Sequence, residues 1–415
     1  MKYVLIGNSA AGIGAVEGIR RTDPEGEITI ITDELHHTYS RPLISYLLLG
    51  KVTQEKMKYR ADSFYKDNNC TLLCGVTATK ISVGTKEVVL SDGKHIAYDK
   101  LLVAAGSSAF VPKFEGLETV DCKHTFMNLD DAKQLKEAID QDKKVMIIGA
   151  GLIGLKCAEG ILGNMSGAKM LTRIKVVDLA PRILSGILDA DGAKLIQNHL
   201  ENEGIEFKLN CSIEKFEKNT AILESGERVD FDVLVLAAGV HPNTTLLKDI
   251  AEIDRGIRIN EKSETTAPDI YAAGDCTQTL DVSSGQNKVM ALLPNAYMQG
   301  ECAGVNMAGG QKIFDKAIPM NAVGLCGKHV ITAGNYIGDV YTENENGNYK
   351  CLFYSKNQLN GYILIGKVDK AGIYTSLIRE RTPLDTIDFA LICGKPGLMA
   401  FGKEYRKAKL GGEAT

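Results

Sequence analysis

Two glycine-rich segments at corresponding places in the chain predict an α/β fold with two Rossmann-like halves. Each segment follows a short apolar run, at residues 3–6 (YVLI) and 145–148 (VMII), and each precedes a stretch of helical character. Both have the G-x-G-x-x-G spacing of a strand-to-helix turn, with serine replacing the middle glycine in the first copy. The positions are Gly7, Ser9 and Gly12 in the first copy and Gly149, Gly151 and Gly154 in the second.

A second apolar run follows each turn and ends in acidic residues, which completes a strand–turn–helix–strand unit. The run EITIITDE ends at Asp33 and Glu34, and the run IKVVD ends at Asp178. In such units the glycines let a diphosphate approach the start of the helix, and a carboxylate about 20 residues further on accepts hydrogen bonds from ribose hydroxyls. Two units of this kind therefore predict two dinucleotide sites.

Length and composition bound the class of protein. A chain of 415 residues has room for about two or three domains. Its 44% hydrophobic and 24% charged residues are typical of a globular protein. The net charge of −4 gives no reason to expect nucleic acid or an anionic membrane as a partner, and no apolar stretch approaches the roughly 20 residues of a membrane span. The ten cysteines form no C-x-x-C pair, so we expect no metal site and a reduced, cytoplasmic protein.

Three further apolar runs end in small residues, and together with the two turns they identify a family. They lie within residues 101–112, 233–244 and 265–278, and their small residues and final acid are Ala105, Gly106, Ala238, Gly239, Gly274 and Asp275. We expect a helix directly after Asp275. With these motifs the sequence resembles the flavin-dependent pyridine-nucleotide-disulfide oxidoreductases over roughly residues 1–310.

The resemblance implies an α/β protein with two Rossmann-like dinucleotide-binding domains, one for FAD and one for NAD, plus a C-terminal α+β interface domain. The FAD-binding domain would comprise residues 1–115 and 240–312, the NAD(H)-binding domain residues 116–239, and the C-terminal domain residues 313–415. The cofactors implied are FAD and NADH.

The resemblance also assigns cofactor contacts residue by residue. FAD would be held by Gly7, Ser9, Ala11, Gly12, Glu34, Arg41, Pro42 and Asp275, with Gly274 beside it. The nicotinamide nucleotide would be held by Gly149, Gly151, Leu152, Ile153, Gly154, Asp178 and Arg182. The small residues Ala105, Gly106, Ala238 and Gly239 would also line a cofactor site. The resemblance does not assign them to FAD or to the nicotinamide nucleotide.

The segment 38–51 carries no cysteine, which narrows the chemistry. In the disulfide-reducing members of the family a helix at this place holds two cysteines, and the peroxidase and oxidase members retain one. Here the first cysteine is Cys70, so a thiol relay at the flavin is excluded. The sequence then resembles the NADH:rubredoxin oxidoreductases, the flavin portion of NADH-dependent nitrite reductases and the ferredoxin-reductase components of oxygenases, which share the pair Arg41–Pro42. Arg41 would pair with FAD phosphate; the alternative is a surface arginine beside a turn.

Two candidate catalytic residues lie at positions where this sequence differs from these relatives. Several of them carry a lysine on the helix of segment 38–51 and a glutamate two positions after the last NAD glycine, which pair near the flavin. The corresponding positions here hold Tyr46 and Lys156, with Glu159 three residues further on. If Lys156 faces the flavin, its cation would raise the flavin potential; a solvent-facing helix lysine is the alternative.

Two other charged features are expected to lie in solvent. A turn with two exposed imidazoles is favoured over a proton source for His36 and His37. The C-terminal residues 395–415, with five basic and two acidic side chains, are expected to form a frayed tail, the alternative being a docking patch for acidic electron carriers. The stretch 129–144 is expected to be an amphipathic helix.

These observations lead to one functional hypothesis with two alternatives. The chain would take hydride from NADH and pass electrons through FAD to a one-electron iron protein such as a rubredoxin or ferredoxin. It would otherwise be the NADH-handling flavoprotein subunit of a larger iron–sulfur complex, or an NADH oxidase that reduces oxygen directly. A homodimer and a hetero-complex both remain open. Asp178 favours NADH over NADPH, whereas Arg182 is placed to accept a 2′-phosphate.

Overall fold

The structure is a computed structural model that describes residues 1–139, 143–164 and 173–410. By its internal contacts the chain divides into two units. The larger consists of Met1–Gly186, Ile196–Thr279 and Lys288–Phe314, and the smaller of Ile187–Leu195, Leu280–Asn287 and Asp315–Thr415. The three-domain boundaries expected from the family resemblance stay a prediction. Within the described residues, no helix has both the length and the apolar composition that crossing a bilayer requires.

The strands are numbered in chain order. The first nine are β1 Lys2–Ile6, β2 Glu27–Thr32, β3 Cys70–Cys74, β4 Ala78–Ser82, β5 Glu87–Leu90, β6 His95–Ala97, β7 Lys100–Val103, β8 Ser107–Ala109 and β9 Lys123–His124. The next nine are β10 Lys144–Ile148, β11 Arg173–Val177, β12 Ile205–Lys208, β13 Ile213–Glu217, β14 Thr220–Leu223, β15 Arg228–Asp230, β16 Val233–Leu236, β17 Val240–Pro242 and β18 Ile257–Arg258. The remaining ones are β19 Ile270–Ala272, β20 Thr277–Asp281, β21 Gln286–Val289, β22 Met320–Leu325, β23 Lys328–Gly334, β24 Asp339–Glu345, β25 Asn348–Ser355 and β26 Gln358–Ile365.

The α-helices are numbered in the same way. They are α1 Ala10–Thr22, α2 Ile44–Leu48, α3 Phe64–Asp67, α4 Leu129–Ala138, α5 Leu152–Asn164, α6 Ala190–Asn202, α7 Leu293–Met307, α8 Ala371–Arg379, α9 Phe389–Gly394 and α10 Lys403–Leu410. A 3₁₀ turn over Arg41–Leu43 leads directly into α2.

The first sheet has the strand order β19-β7-β1-β2-β3, and all its pairs are parallel. After Lys2 every residue of its central strand β1 is buried, because both faces of the sheet are covered. On one face Leu5 packs with α1 and α7, and on the other Val4 packs with Val88 of the small antiparallel sheet β4-β5-β6. The carboxyl ends of these parallel strands therefore open at one edge, where a doubly wound sheet binds its ligand.

The second sheet repeats this plan with the order β12-β11-β10-β16-β9, again all parallel. The register is also repeated, since Ile6 pairs with Ile31 in the first sheet and Ile148 with Val177 in the second. In each copy the first glycine of the turn donates its N–H to the carbonyl of the neighbouring strand, at 2.8 Å. The two halves expected from the sequence are thus alike down to single hydrogen bonds.

Helices α1 and α7 pack with their backbones in direct contact. A Cβ added at Gly14 or Gly18 of α1 would overlap a carbonyl oxygen of α7, and one added at Gly300 or Gly304 of α7 would overlap a carbonyl oxygen of α1. The partner of Gly300 is Ala11, in the first turn of α1. Four glycines in helix interiors are unfavourable for helix formation, and the close packing that they permit is what offsets this.

The smaller unit is built on an antiparallel sheet with the order β22-β23-β26-β25-β24. Its core includes Tyr362 of β26 and Tyr374 of α8, both at most 1% exposed. The end of the chain also packs here. Phe401 is buried and stacks on Tyr405 of α10, with ring centroids 4.7 Å apart. The expectation of a frayed tail is therefore wrong for the described part of it; residues 411–415 lie outside the described residues.

Two local expectations are wrong. The helix expected directly after Asp275 is absent, because strand β20 follows and α7 begins only at Leu293. The helix expected over 129–144 ends at Ala138, since Lys144 already belongs to β10, and residues 140–142 lie outside the described residues. The apolar residues of α4 form one buried face, as expected of an amphipathic helix.

We predict that Gly300→Ala lowers the free energy of unfolding by about 3 kcal/mol or more, because the methyl group would meet backbone of α1 that cannot move aside. The matched control is Gly372→Ala in α8, where an added Cβ meets no atom within 4 Å. That change should raise stability by up to about 1 kcal/mol. Urea denaturation of both variants measures the two effects, and a mild effect of Gly300→Ala would contradict the proposed packing role.

Candidate cofactor site

A cavity of about 370 Å³ lies at the carboxyl end of the first sheet. Its wall includes the first glycine-rich turn, the segment after β2 and the turns that follow β7 and β19. The size and the small, mostly uncharged lining are typical of a site for an organic cofactor. The predicted cofactor-binding residues that line it are Gly7, Ser9, Ala11, Glu34, Arg41, Ala105, Gly106, Gly274 and Asp275.

The first turn has the geometry that an anion site requires. Gly7 has a φ of +119°, and a Cβ there would overlap the carbonyl oxygen of Ala104, so only glycine fits. Gly12 packs against the carbonyl of Gly7 instead of lining the cavity. Helix α1 starts right after Ser9, whose side chain makes no capping hydrogen bond. The first N–H groups of α1 are therefore not capped by Ser9 and suit a phosphate group at the positive end of the helix.

Glu34 and Arg41 are brought together on the cavity wall. The Arg41 guanidinium forms an ion pair with the Glu34 carboxylate and also donates to the carbonyl of Met127 at 3.1 Å. The hydroxyl of Tyr39 donates to the other Glu34 oxygen at 2.6 Å and accepts the N–H of Leu129 at 3.0 Å. The family resemblance implied that Glu34 and Arg41 contact separate parts of FAD, and nothing in the sequence indicated that Tyr39 orients the Glu34 carboxylate. Pro42 takes the second position of the 3₁₀ turn.

The expectation of two exposed imidazoles at His36 and His37 is wrong, since both residues line the cavity. The His36 side chain is only 15% exposed because its Nε2 contacts the Asp130 carboxylate at 2.7 Å. The ring of His37 meets the ring of Tyr65 edge-on, with centroids 5.0 Å apart, and its Nδ1 lies 3.0 Å from the carbonyl of Thr38. Because Asp130 and Tyr65 are distant in the chain, the sequence around His36 and His37 does not predict the contacts.

Asp275 also lines the cavity, just after the turn at Gly274. Burial raises the pKa of Asp275 above its usual value, against the lowering effects of a hydrogen bond from Ser107 and of the positive charge of Arg41. The Ser107 hydroxyl lies 3.4 Å from the carboxylate. A carboxylate that is buried with so few donors suits a ligand that brings hydroxyl groups of its own.

The second turn is equally well formed but more open. Gly149 has a φ of +113°, and Gly154 packs against the carbonyl of Gly149. At Gly151 an added Cβ would meet nothing within 4 Å, and the residue is exposed, so room for a diphosphate remains. Leu152 and Ile153 begin α5 and are half-buried. Ala238 and Gly239 follow β16 at the same sheet edge, where Gly239 has a φ of +126°.

Asp178 is held by backbone N–H groups. Its carboxylate accepts the N–H of Ala150 at 2.6 Å and the N–H of Ala180 at 2.7 Å. By strand register Asp178 corresponds to Thr32, and Glu34 corresponds to Ala180. The two acidic residues that looked equivalent in sequence thus occupy positions two residues apart. Each Asp178 oxygen keeps acceptor capacity for a ribose hydroxyl.

Arg182 is the remaining predicted residue of the second site. The Arg182 guanidinium is exposed and donates to the carbonyl of Ser185 at 3.3 Å. Leu179, between Asp178 and Arg182 in sequence, is 72% exposed.

Tyr46 and Lys156 are in contact. The Lys156 ammonium lies 4.7 Å from the centroid of the Tyr46 ring, which is a cation–π distance, and it forms an ion pair with Glu159 one turn further along α5. The Lys156 side chain is 16% exposed, so it does not point freely into solvent. Helices α2 and α5 approach closely here, since an added Cβ at Gly160 would crowd Leu48.

No described cysteine lines the cavity.

Residues 1–300 match the model of the pyridine nucleotide-disulphide oxidoreductase family, and the chain belongs to this family. The α/β fold class, the oxidoreductase class and the cofactors FAD and NAD(H) that the sequence predicts are thereby confirmed.

Individual relatives are similar over most of the chain. The epsilon subunit of NADH-dependent phenylglyoxylate dehydrogenase from Aromatoleum evansii is 30% identical over 417 residues, covering 97% of this chain and 96% of the relative. Rubredoxin-NAD(+) reductase from Pseudomonas putida is 29% identical over 316 residues, covering 74% of this chain and 80% of the relative. The crystal structure of a covalent putidaredoxin reductase–putidaredoxin complex matches with a TM-score of 0.87 at 21% identity, covering 99% of both chains, and shows the fold alone.

We predict that Asp275→Asn stabilises the cofactor-free protein at neutral pH. Because the pKa of Asp275 is raised in the folded state, folding favours its neutral form; the resulting stability is present below the unfolded pKa of about 3.9 and is lost as the pH rises through the folded pKa. The difference in melting temperature between variant and wild type should therefore grow as the pH rises from about 4 through the folded pKa of Asp275. An exposed aspartate, Asp230, changed in the same way is the control. A difference that is constant with pH would contradict the burial of an ionisable Asp275.

Proposed function

We propose that this chain takes hydride from NADH and passes the electrons, through bound FAD, to a separate one-electron iron protein without a cysteine relay. The observation that carries the proposal is the lining of the 370 Å³ cavity, which offers carboxylates, backbone N–H groups and a guanidinium but no described cysteine. FAD supplies the chemistry, because it accepts a hydride and releases electrons singly. The protein's contribution is binding, orientation and charge. A cytoplasmic location belongs to this proposal, since NADH is drawn from the cytoplasmic pool.

The two carboxylates of the cavity would bind different parts of FAD. Glu34, held by Tyr39, would accept the hydroxyls of the adenosine ribose, and the uncapped start of α1 behind Ser9 would bind the diphosphate. Asp275, which also lines the cavity, would accept hydroxyls of the ribityl chain. Arg41 would both neutralise Glu34 and place its remaining N–H groups toward phosphate.

The residues of the second turn would hold NADH in the same manner. The start of α5 at Leu152 would face the diphosphate, and Asp178 would accept the ribose hydroxyls. Because Asp178 also accepts two backbone N–H groups, it holds the turn in shape as well as selecting the nucleotide. Arg182 lies four residues further on and would contact the outer edge of the nucleotide.

Lys156 and Tyr46 are our candidates for tuning the reaction. The Tyr46 ring and Glu159 fix the ammonium group from two sides, which costs a flexible lysine much of its side-chain freedom. A fixed positive charge near the flavin would favour the reduced cofactor, and Glu159 would moderate this effect by partial neutralisation.

A second candidate function rests on a specific observation. The epsilon subunit of NADH-dependent phenylglyoxylate dehydrogenase matches this chain over nearly the whole length of both proteins. The chain would then be the NADH-handling flavoprotein of a larger iron–sulfur enzyme, and the iron centres of that enzyme would receive its electrons. The electron transfer inside this chain is the same in both cases, and what differs is whether the iron protein is a mobile carrier or a stable partner subunit.

The purified chain should be yellow, release FAD on denaturation and oxidise NADH in the presence of rubredoxin or ferredoxin at least about tenfold faster than in oxygen alone. The reason is that the cofactor can reach a docked one-electron acceptor directly. Oxygen supporting the full rate would favour the direct oxidase. Dye reduction without rubredoxin or ferredoxin reduction, together with co-purification of iron–sulfur subunits from the native host, would favour the larger complex. Release of FMN would overturn the FAD assignment.

Asp178→Ala should lower kcat/KM for NADH by about tenfold or more and shrink the preference for NADH over NADPH. The loss arises because the variant removes the ribose acceptor and also leaves the Ala150 and Ala180 N–H groups without their carboxylate. Steady-state kinetics with both nucleotides measures it, and Asp230→Ala is the control. The assignment fails if the wild type prefers NADPH or if the variant keeps the wild-type preference.

A further inference from the structure

The buried side chain of Gln299 joins α7 to the turn that presents Asp275. Gln299 is 3% exposed, and its Oε1 accepts the N–H of Gly274 at 2.8 Å. Gly274 has a φ of +82°, and an added Cβ there would crowd Ala11 and Ala296. Because the Gln299 amide is buried, solvent does not replace this acceptor. A buried N–H that loses its partner is expensive, so the Gln299 amide fixes where Gly274 lies.

The other side of the turn is closed by Thr277. Its N–H and its hydroxyl both donate to the carbonyl of Gly274, at 2.9 and 2.7 Å. Both backbone groups of Gly274 are therefore hydrogen-bonded, one to α7 and one to the start of β20. Asp275, the next residue, cannot shift without breaking one of these bonds.

The position of Gln299 on α7 links its hydrogen bond with Gly274 to the packing of α7 on α1. Gly300, the next residue, is the one whose backbone touches Ala11 in the first turn of α1. One turn of α7 therefore contacts both the start of α1 and the turn before Asp275. The main chain of Gln299 is itself anchored, because the hydroxyl of Ser263 donates to its carbonyl oxygen at 3.2 Å.

We propose that Gln299 is a positioning residue for FAD, which sets the distance between the diphosphate end of the cavity at α1 and the Asp275 carboxylate. Gln299 does not line the cavity and acts through Gly274. The inference rests on the proposed function, because it takes FAD as the ligand that spans these two points. Without the amide acceptor the turn can relax in the empty protein, and FAD binding must then restore its position.

Titration of the apoprotein with FAD, followed by flavin fluorescence, tests this directly. Gln299→Met keeps the length of the side chain and removes the acceptor, and it should weaken FAD binding about tenfold. The decisive readout is a double-mutant cycle with Asp275→Ala. If Gln299 acts by placing Asp275, the Gln299→Met change should weaken FAD binding less than about twofold once the carboxylate is gone.

Asn306, on the same helix, provides the matched control. It is 8% exposed, and its amide donates to the carbonyls of Lys262 and Lys312 at 3.0 and 2.8 Å, away from Asp275. Asn306→Leu should lower the melting temperature but combine additively with Asp275→Ala in FAD affinity. If Gln299→Met does not fold, Thr277→Val removes the hydroxyl bond on the other side of the turn and should show the same non-additivity.

The outcomes separate the inference from the proposed function. Additive effects of Gln299→Met and Asp275→Ala, or unchanged FAD affinity in Gln299→Met, would overturn the positioning role while leaving FAD binding intact. A wild-type apoprotein that binds no FAD would overturn the proposed function itself.

Discussion

The direct backbone contact between α1 and α7 is the constraint on which the cofactor cavity depends. Side chains larger than hydrogen at Gly14, Gly18, Gly300 or Gly304 would separate the two helices. Helix α1 begins at the cavity, and α7 supports the turn that presents Asp275 there. Because packed interiors transmit small displacements, a change in the spacing of these helices alters both parts of the cavity at once. The glycines are therefore as important to the site as the residues that line it.

The two Rossmann-like halves show how one backbone plan can carry different chemistry. Both turns make the same hydrogen bond from their first glycine, and both carry a third glycine packed on the first. The acidic residues differ, since Glu34 belongs to a network with Tyr39 and Arg41, whereas Asp178 binds the backbone of its own turn. Side chains therefore close the first half into a cavity, which suits a tightly held cofactor. The second half remains open at Gly151, which suits a nucleotide that must leave.

The sequence was sufficient to predict the fold class and the two glycine-rich turns because those signals are local. Strand, glycine spacing and terminal acid lie within about 35 residues of one another in each βαβ unit. The contacts of Tyr39, His36 and Gln299 were missed because each depends on a partner far away in the chain. The helix expected after Asp275 was an error of the same kind. An Ala-Gly-Asp ending resembles a helix start locally, but pairing of β20 with β18 takes the chain into a sheet.

The double role of Asp178 has a consequence for redesign of nucleotide preference. Exchanging an acid for a small residue is the obvious way to admit a 2′-phosphate, yet here it would also remove the acceptor on which Ala150 and Ala180 rely. The equivalent position in the other half of the molecule holds an uncharged residue, Thr32. Its hydroxyl oxygen accepts a hydrogen bond from the N–H of Glu34 at 3.3 Å. Threonine is thus the replacement that discards the negative charge while keeping an acceptor for the N–H two residues further on.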